Sequence, residues 1–395
     1  MHNLLFRIII LVLCREKYLL QLSNLITNNK YLNYIYIMKF QADISYMVCD
    51  CKYNKNDGLK ICEVQHGTIS ALTGDIYNSQ PEKYGTIMPK IVSFFNQYPL
   101  KKWTTSLSYP PLVKILSENG WEVHQSFDKI SKTNSFIECA KIYPENPSSI
   151  LSYKGLVYCT SDMLNNLNPS LYPGILFIDA ATIPYWIDKY KMNSLFDENN
   201  DLKQYKADWM LCSRTYDPSL IIKIYEKMPA EYYVIKPRKQ FLGNGIIIVE
   251  SINLDKTIKM ISEFDENLKK HPDHNYRYWS INKDTTFIIE KYYPSEYLKI
   301  LNESNNNLVH TYDATIRIAF ILKYDLGNVY YYGLGGYWKL PSKALEEDVS
   351  LNKKMISFCE IPFYKKINSN LLDEINVEVE KAMKLLYKIM LNIDE

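Results

Sequence analysis

Lys236, Gly243 and Gly245 are the residues of this chain whose types and spacing best suit chemistry. They lie in residues 232–250, where an apolar run ends in a lysine, a short loop carries the two glycines, and a second apolar run follows. An ammonium neutralises phosphate charge, and glycine lets backbone N–H groups approach phosphate oxygens with no Cβ in the way. The plainer reading is an ordinary hairpin, because tight turns use glycine for their own geometry. Cys49, Cys51, Cys62 and His66 could also be read as a zinc set. Neighbouring positions on one strand make a cramped tetrahedron, however, and cysteine is a common buried residue, so core packing is the expectation.

These residues need elements to hold them. Residues 43–53 are rich in β-branched and aromatic types and read as a strand, Asn54 to Gly58 as a turn, and residues 59–64 as the returning strand. A two-residue turn at Asp57-Gly58 would set Asp50 opposite Gln65 and Lys52 opposite Glu63. With side chains alternating, Asp50, Glu63 and Gln65 then share one face; a three-residue loop would break that parity. Residues 76–185 alternate helix and strand patterns and read as a Rossmann-like lobe without a dinucleotide fingerprint. Within it, residues 87–98 and 110–120 are helical in spacing, and 121–124, 155–158 and 174–178 are short apolar strands. Residues 186–196, 219–227 and 254–270 read as helices. Strands are expected at 286–293, 313–322 and 329–341, with a polar, mobile loop at 302–307 and a terminal helix at 371–391.

Composition bounds the rest. A chain of 395 residues can bury a large core and fold as two or three domains. The formal charge of +2 provides no basic field for nucleic acid. Eight cysteines are too sparse for a disulfide scaffold, which points to reduced thiols and a cytoplasmic setting. The apolar run at residues 4–13 is short and interrupted by Arg7, and it lacks the flanks of a signal peptide. Met38 reads as the natural start, with residues 1–37 as an extension that is extra or poorly ordered. No stable membrane insertion is expected.

In this order the pieces resemble the ATP-grasp superfamily, in the circularly permuted form exemplified by glutathionylspermidine synthetase. The resemblance implies an α/β architecture of three parts. These are a metal-binding hairpin within 38–75, the Rossmann-like lobe at 76–185, and an antiparallel nucleotide-binding region with a C-terminal helix at 186–395. It implies that Lys236, Gly243 and Gly245 cover ATP phosphates, with Lys189 of an Asp188-Lys189 pair contacting the nucleotide as well. Glu290 and Glu296 would bound the hinge for adenine and ribose, and Arg317 would reach the phosphates. Mg²⁺ would be held by Asp50, Glu63 and Gln65, where Gln65 departs from the usual asparagine. Glu374-Ile-Asn376 has the family's metal spelling but opens the terminal helix pattern, and is read as a decoy. The implied activity is ligation of a small-molecule or peptide carboxylate to an amine or thiol through an acyl phosphate, with Arg317 and Lys236 stabilising the transferred group. Two alternatives stand beside it: an ATP-binding protein that has lost the chemistry, and phosphotransfer to a non-carboxylate acceptor.

Overall fold

The computed structural model describes residues 41–67, 69–106, 110–159, 167–239, 243–263, 266–302, 308–358 and 360–393. The expectations for residues 1–37, and Cys14 and Cys359, fall outside them. β1 (Asp43–Asn54) and β2 (Gly58–His66) form the expected hairpin. The middle region supplies β3 (Lys101–Thr105), β4 (Glu122–His124), β5 (Gly155–Tyr158) and β6 (Ile175–Phe177), a parallel sheet in the order β4-β3-β5-β6. β7 (Trp209–Ser213), β8 (Tyr232–Pro237), β9 (Ile247–Glu250) and β10 (Thr286–Lys291) make an antiparallel sheet in the order β7-β10-β8-β9. β11 (Leu298–Asn302) pairs with β12 (Leu308–Tyr312), and β13 (Thr315–Asp325), β14 (Asn328–Lys339) and β15 (Tyr364–Lys366) are the remaining strands among the described residues. The chain is thus a mixed α/β protein.

The central sheet joins the two ends of the sequence, in the order β15-β14-β13-β1-β2, all antiparallel. Alternation on β1 and β13 explains where it packs. Met47, Cys49 and Cys51 with Ile316, Ile318 and Phe320 face Val379, Met383 and Leu386 of the Ser369–Met390 helix. The opposite face begins apolar, with Ile44, Tyr46 and Val48 beside Ala319 and Ile321, against the Ile87–Asn96 helix and the parallel sheet. It then turns charged at Asp50, Lys52 and Arg317. That switch of polarity along one face marks the site. The β7–β10 sheet is likewise two-sided. Tyr233, Ile235, Phe287 and Ile289 pack on helices Pro218–Lys227, Leu254–Ser262 and His274–Ile281, leaving Val234, Lys236, Ile288 and Glu290 on the other face.

Four expectations change. The helix expected over 254–270 is two helices, Leu254–Ser262 and Glu266–Lys270. Asp188 interrupts the helix expected over 186–196: its side chain accepts from Tyr190 N and caps Lys189–Asp197. The stretch between β10 and β13 carries the β11–β12 hairpin on both sides of the expected loop, of which residues 303–307 are outside the described set. β14, expected as a strand over 329–341, runs Asn328–Lys339 with a register shift against β13 between Ala319 and Phe320. Among the described residues, no helix is long and apolar enough to cross a membrane.

Candidate functional site

The β1–β2 turn differs from the two-residue form the sequence suggests. Asn54 pairs with Gly58 across a three-residue loop, in which Asn54 Oδ1 accepts from the backbone of Asn56 at 3.0 Å and Asp57 at 2.8 Å. An asparagine side chain that mimics a backbone turn in this way shifts the register by one. A β-bulge then takes the shift back: Cys51 pairs with Ile61 but Asp50 with Glu63, leaving Cys62 as the extra residue. Asp50 therefore faces Glu63, not Gln65, and Gln65 pairs with Val48. Asp50, Glu63 and Gln65 still share one face, through two offsetting irregularities.

On that face Asp50 lies beside Arg317 of β13. Arg317 Nε donates to Asp50 Oδ1 at 2.6 Å and Nη2 to Oδ2 at 2.7 Å, while Lys339 Nζ of β14 donates to Oδ2 at 2.8 Å. All three are buried. Burial alone would raise the Asp50 carboxyl, but Arg317 and Lys339 hold it well below the usual carboxylate range. Glu63 Oε1 is 2.8 Å from Lys189 Nζ. Its carboxyl is also lowered, Lys189 outweighing burial.

The bulge connects this hairpin to the other sheet. Lys236 Nζ donates to Cys62 O at 3.3 Å, and Lys206 Nζ to Ile61 O at 3.3 Å and Cys62 O at 3.4 Å. Both lysines also hold Glu290, Lys236 at 2.5 Å and Lys206 at 3.0 Å, and Asn193 Nδ2 donates to the same carboxylate at 3.0 Å. Against the upward push of burial, Lys206 and Lys236 keep Glu290 at about 2. The Cys62 thiol, in the field of Lys236, Lys52 and Lys206, is nevertheless raised because burial dominates.

Below Asp50, Lys52 Nζ pairs with Asp313 Oδ1 at 2.7 Å, and Asp313 also accepts from Tyr292 OH at 2.5 Å and Ser295 N at 2.9 Å. Arg317 thus pairs with Asp50, while Asp313 fixes the 290–296 hinge onto β1. Glu296 departs from the cluster: its half-exposed side chain reaches Lys55 at 3.9 Å. Asp188 is bound by Arg238, Nη2 to Oδ2 at 2.6 Å. Gly243 and Gly245 have positive φ. Gly245 is tied to the His274–Ile281 helix, its N–H donating to Asn275 Oδ1 at 3.0 Å. Glu374 and Asn376 lie on the terminal helix across the sheet, bonded to the hydroxyls of Tyr53 and Tyr331.

Cys49 and Cys51 are core residues, Cys51 Sγ donating to Ile316 O at 3.5 Å. His66 ends β2 with Nε2 against Asp179 Oδ2, its ring stacked near Tyr158 and Trp186 at centroid distances of 5.9 and 5.7 Å. Lys206, Lys339, Lys52, Asp313 and Asn193 were not singled out as site residues from the sequence. Lys52 follows from Asp50 by period two; for Lys206 and Lys339 the sequence holds no local signal.

Among the described residues, the ion pairs of this network join Asp50, Glu63, Glu290 and Asp313 to Lys52, Lys189, Lys206, Lys236, Arg317 and Lys339, four negative against six positive, or +2. That balance suits a phosphate-bearing anion. Mg²⁺ wants several free oxygen ligands in near-octahedral order. Here both oxygens of Asp50 are taken by cations, Lys189 holds Glu63, and among the described residues no three His, Cys, Asp or Glu side chains converge as a metal-holding group. The donor set does not fit a ready-made divalent site.

No family model matches the chain, and no curated protein sequence matches it. Among solved structures it is similar to a glutathione synthetase like-effector from Globodera pallida in apo form, at 13% identity and TM-score 0.37, over 78% of this chain and 74% of that one. It is also similar to D-alanine-D-alanine ligase from Helicobacter pylori, at 13% identity and TM-score 0.21, over 45% of this chain and 61% of that one. A third is D-alanyl-alanine synthetase A from Vibrio cholerae O1 biovar eltor str. N16961, at 12% identity and TM-score 0.31, over 73% of this chain and 81% of that one. At such scores the site is read from its own geometry.

Proposed function

We propose that this chain is an ATP-dependent ligase that joins a carboxylate to an amine or thiol, with the nucleotide phosphates bound at the Lys236–Glu290–Arg317 network. One observation carries the reading. Lys189, Lys206, Lys236, Glu290 and Arg317 come from widely separated stretches, yet they enclose one buried hairpin with a net positive charge. Such a concentration of ammonium and guanidinium groups is costly unless an anion uses it.

In this reading Lys236 and Lys189 turn from their carboxylates to the phosphate oxygens when ATP arrives, while Arg317 meets them from its place beside Asp50. Val234 and Ile288 share a sheet face with Lys236 and Glu290 and give the base an apolar floor. The substrate carboxylate attacks the γ-phosphorus, ADP leaves, and an acyl phosphate forms; the amine then attacks the acyl carbon and phosphate departs. The cations stabilise charge on the transferring group, and no protein nucleophile is needed. Glu290, anchored by Asn193, keeps Lys236 and Lys206 in place between turnovers.

The test is ATP binding by calorimetry, followed by ADP release with pooled amino acids and peptides. Lys236→Met should weaken ATP binding at least tenfold, equivalent to about 1.4 kcal/mol; unchanged affinity sinks the assignment. A second reading, nucleotide binding without turnover, is favoured by the engagement of all four network carboxylates in ion pairs. ATP binding with no ADP release on any acceptor would select it.

A further inference from the structure

Asp50 lies in the middle of β1, flanked by β13 and β2, with its two carboxylate oxygens divided between two cations from two other strands. Arg317 forks onto both oxygens, and Lys339 adds a third bond to Oδ2. The three residues are 2–6% exposed. A carboxylate between two buried cations leaves a unit of net charge +1, and it is the group that lets a guanidinium and an ammonium stay side by side. A divalent cation arriving at Asp50 would have to displace one of them and would still sit against the other. An anion meets the reverse situation, two fixed cations on one sheet face, held there before it arrives.

We propose that Asp50 is a positioning residue rather than a metal ligand: it holds Arg317 and Lys339 as a paired seat for an oligophosphate anion, and Lys339 is a phosphate-binding residue. The inference rests on the nucleotide reading only for which oligophosphate occupies the seat. Lys339 reaches the seat by strand alternation: Arg317 pairs with Tyr337 on β14, and Lys339 is two residues further along the same face. Guanidinium supplies a planar fork and lysine a point charge, a combination suited to adjacent oxygens of one phosphate chain.

Calorimetric titration of the full chain with ATP and with inorganic tripolyphosphate, each in EDTA and in Mg²⁺, tests it. Both anions should bind in EDTA. Lys339→Met should weaken tripolyphosphate binding in EDTA at least tenfold, and Lys339→Arg should restore most of it. Asp50→Asn should change ATP affinity by the same factor with and without Mg²⁺, so that the ratio of the two affinities is preserved. Were Asp50 a metal ligand, Asp50→Asn would leave binding in EDTA intact and abolish the gain from Mg²⁺, which overturns the proposal. Should Asp50→Asn not fold, the Lys339 pair decides alone: no loss in Lys339→Met also overturns it. Binding of tripolyphosphate but not ATP would sink the nucleotide reading and keep the seat. ATP binding only with Mg²⁺ would do the opposite, and binding of neither anion would remove both.

Discussion

Glu290 is the residue on which the buried charge of the β7–β10 sheet depends, because one carboxylate holds two buried lysines. The two lysines respond in opposite directions. Burial lowers both, but Glu290 lifts Lys236 above the ordinary lysine value, while Lys206 stays below it. Removing the shared partner is therefore worse than removing either lysine. Glu290→Gln leaves two uncompensated buried cations and should cost about 3–5 kcal/mol. Lys236→Met leaves Glu290 bonded to Lys206 and Asn193 and should cost about 1–2 kcal/mol. Urea denaturation of the two variants gives the comparison, and equal losses would contradict a shared anchor. The pH dependence has a definite sign. Glu290 is depressed to about 2 in the folded protein, so its contribution is complete above the ordinary glutamate value and is lost as pH falls toward 2. The gap between wild type and Glu290→Gln should therefore narrow steadily as the pH is lowered from 5 to 3.

At the scale of elements, the glycine loop and the bulged hairpin separate what a sequence can reveal from what it cannot. Gly243 and Gly245 look interchangeable as residues, each with φ near +75°. Their surroundings differ. Among the described residues a Cβ at Gly243 meets nothing within 4 Å, whereas at Gly245 it would lie 2.4 Å from Tyr278 Cδ1 and 2.6 Å from Pro237 Cγ. Gly243→Ala should cost only the left-handed backbone penalty, about 1–2 kcal/mol. Gly245→Ala adds a steric clash between two elements and should lose clearly more, with a Tm drop at least twice as large by differential scanning calorimetry. Strands and helices with a clean period were legible: β1, β8 and the terminal helix stand close to where alternation and helical spacing put them. The register of β2 was not, because it depends on an asparagine side chain acting as part of the turn and on one extra residue at Cys62. Neither feature leaves a mark in hydrophobic pattern. The same face-sharing of Asp50, Glu63 and Gln65 emerged from a regular hairpin on paper and an irregular one in the fold. Asp50 was legible as sharing a face with Glu63 and Gln65 but not as the partner of Arg317, which lies 267 positions away. Lys206 and Lys339 were invisible for the same reason: long-range pairing is not written in local spacing.

The whole molecule is closed by a second set of buried polar groups, where the start of β1 meets both the terminal helix and the segment after β6. Asp43 accepts from Tyr387 OH and, at 3.1 Å, from Ser45 Oγ, which lies 3.2 Å from Thr182 Oγ1. Asp179, at a φ of 69°, accepts from Tyr46 N through Oδ1 at 2.6 Å and donates its own N–H to Ile44 O at 2.9 Å, extending the sheet edge beyond the end of β2. This is where three layers become one body, and it has the opposite acid response to the charged site. Burial, with the Asp179 charge adding to it, raises Asp43 to about 6 despite the bonds from Tyr387 and Ser45. A raised carboxyl favours folding while it is protonated, so its contribution is present below the unfolded value near 4 and is lost as pH climbs through about 6. The two-unit shift corresponds to about 3 kcal/mol. Asp43→Asn removes that titration, although the amide presents an N–H on a side where a backbone group donates to the acid. The difference in pH slope is therefore the quantity to measure, not the absolute stability at one pH. From pH 4 to pH 7 the stability of Asp43→Asn relative to wild type, by urea denaturation, should rise by about 2 kcal/mol, most of the full shift. A flat difference would mean that Asp43 stays ionised in the fold. With Glu290 and Asp50 losing their pairs on the acid side and Asp43 opposing burial on the neutral side, the wild-type optimum is set by two clusters, one at the start of β1 and one around its middle.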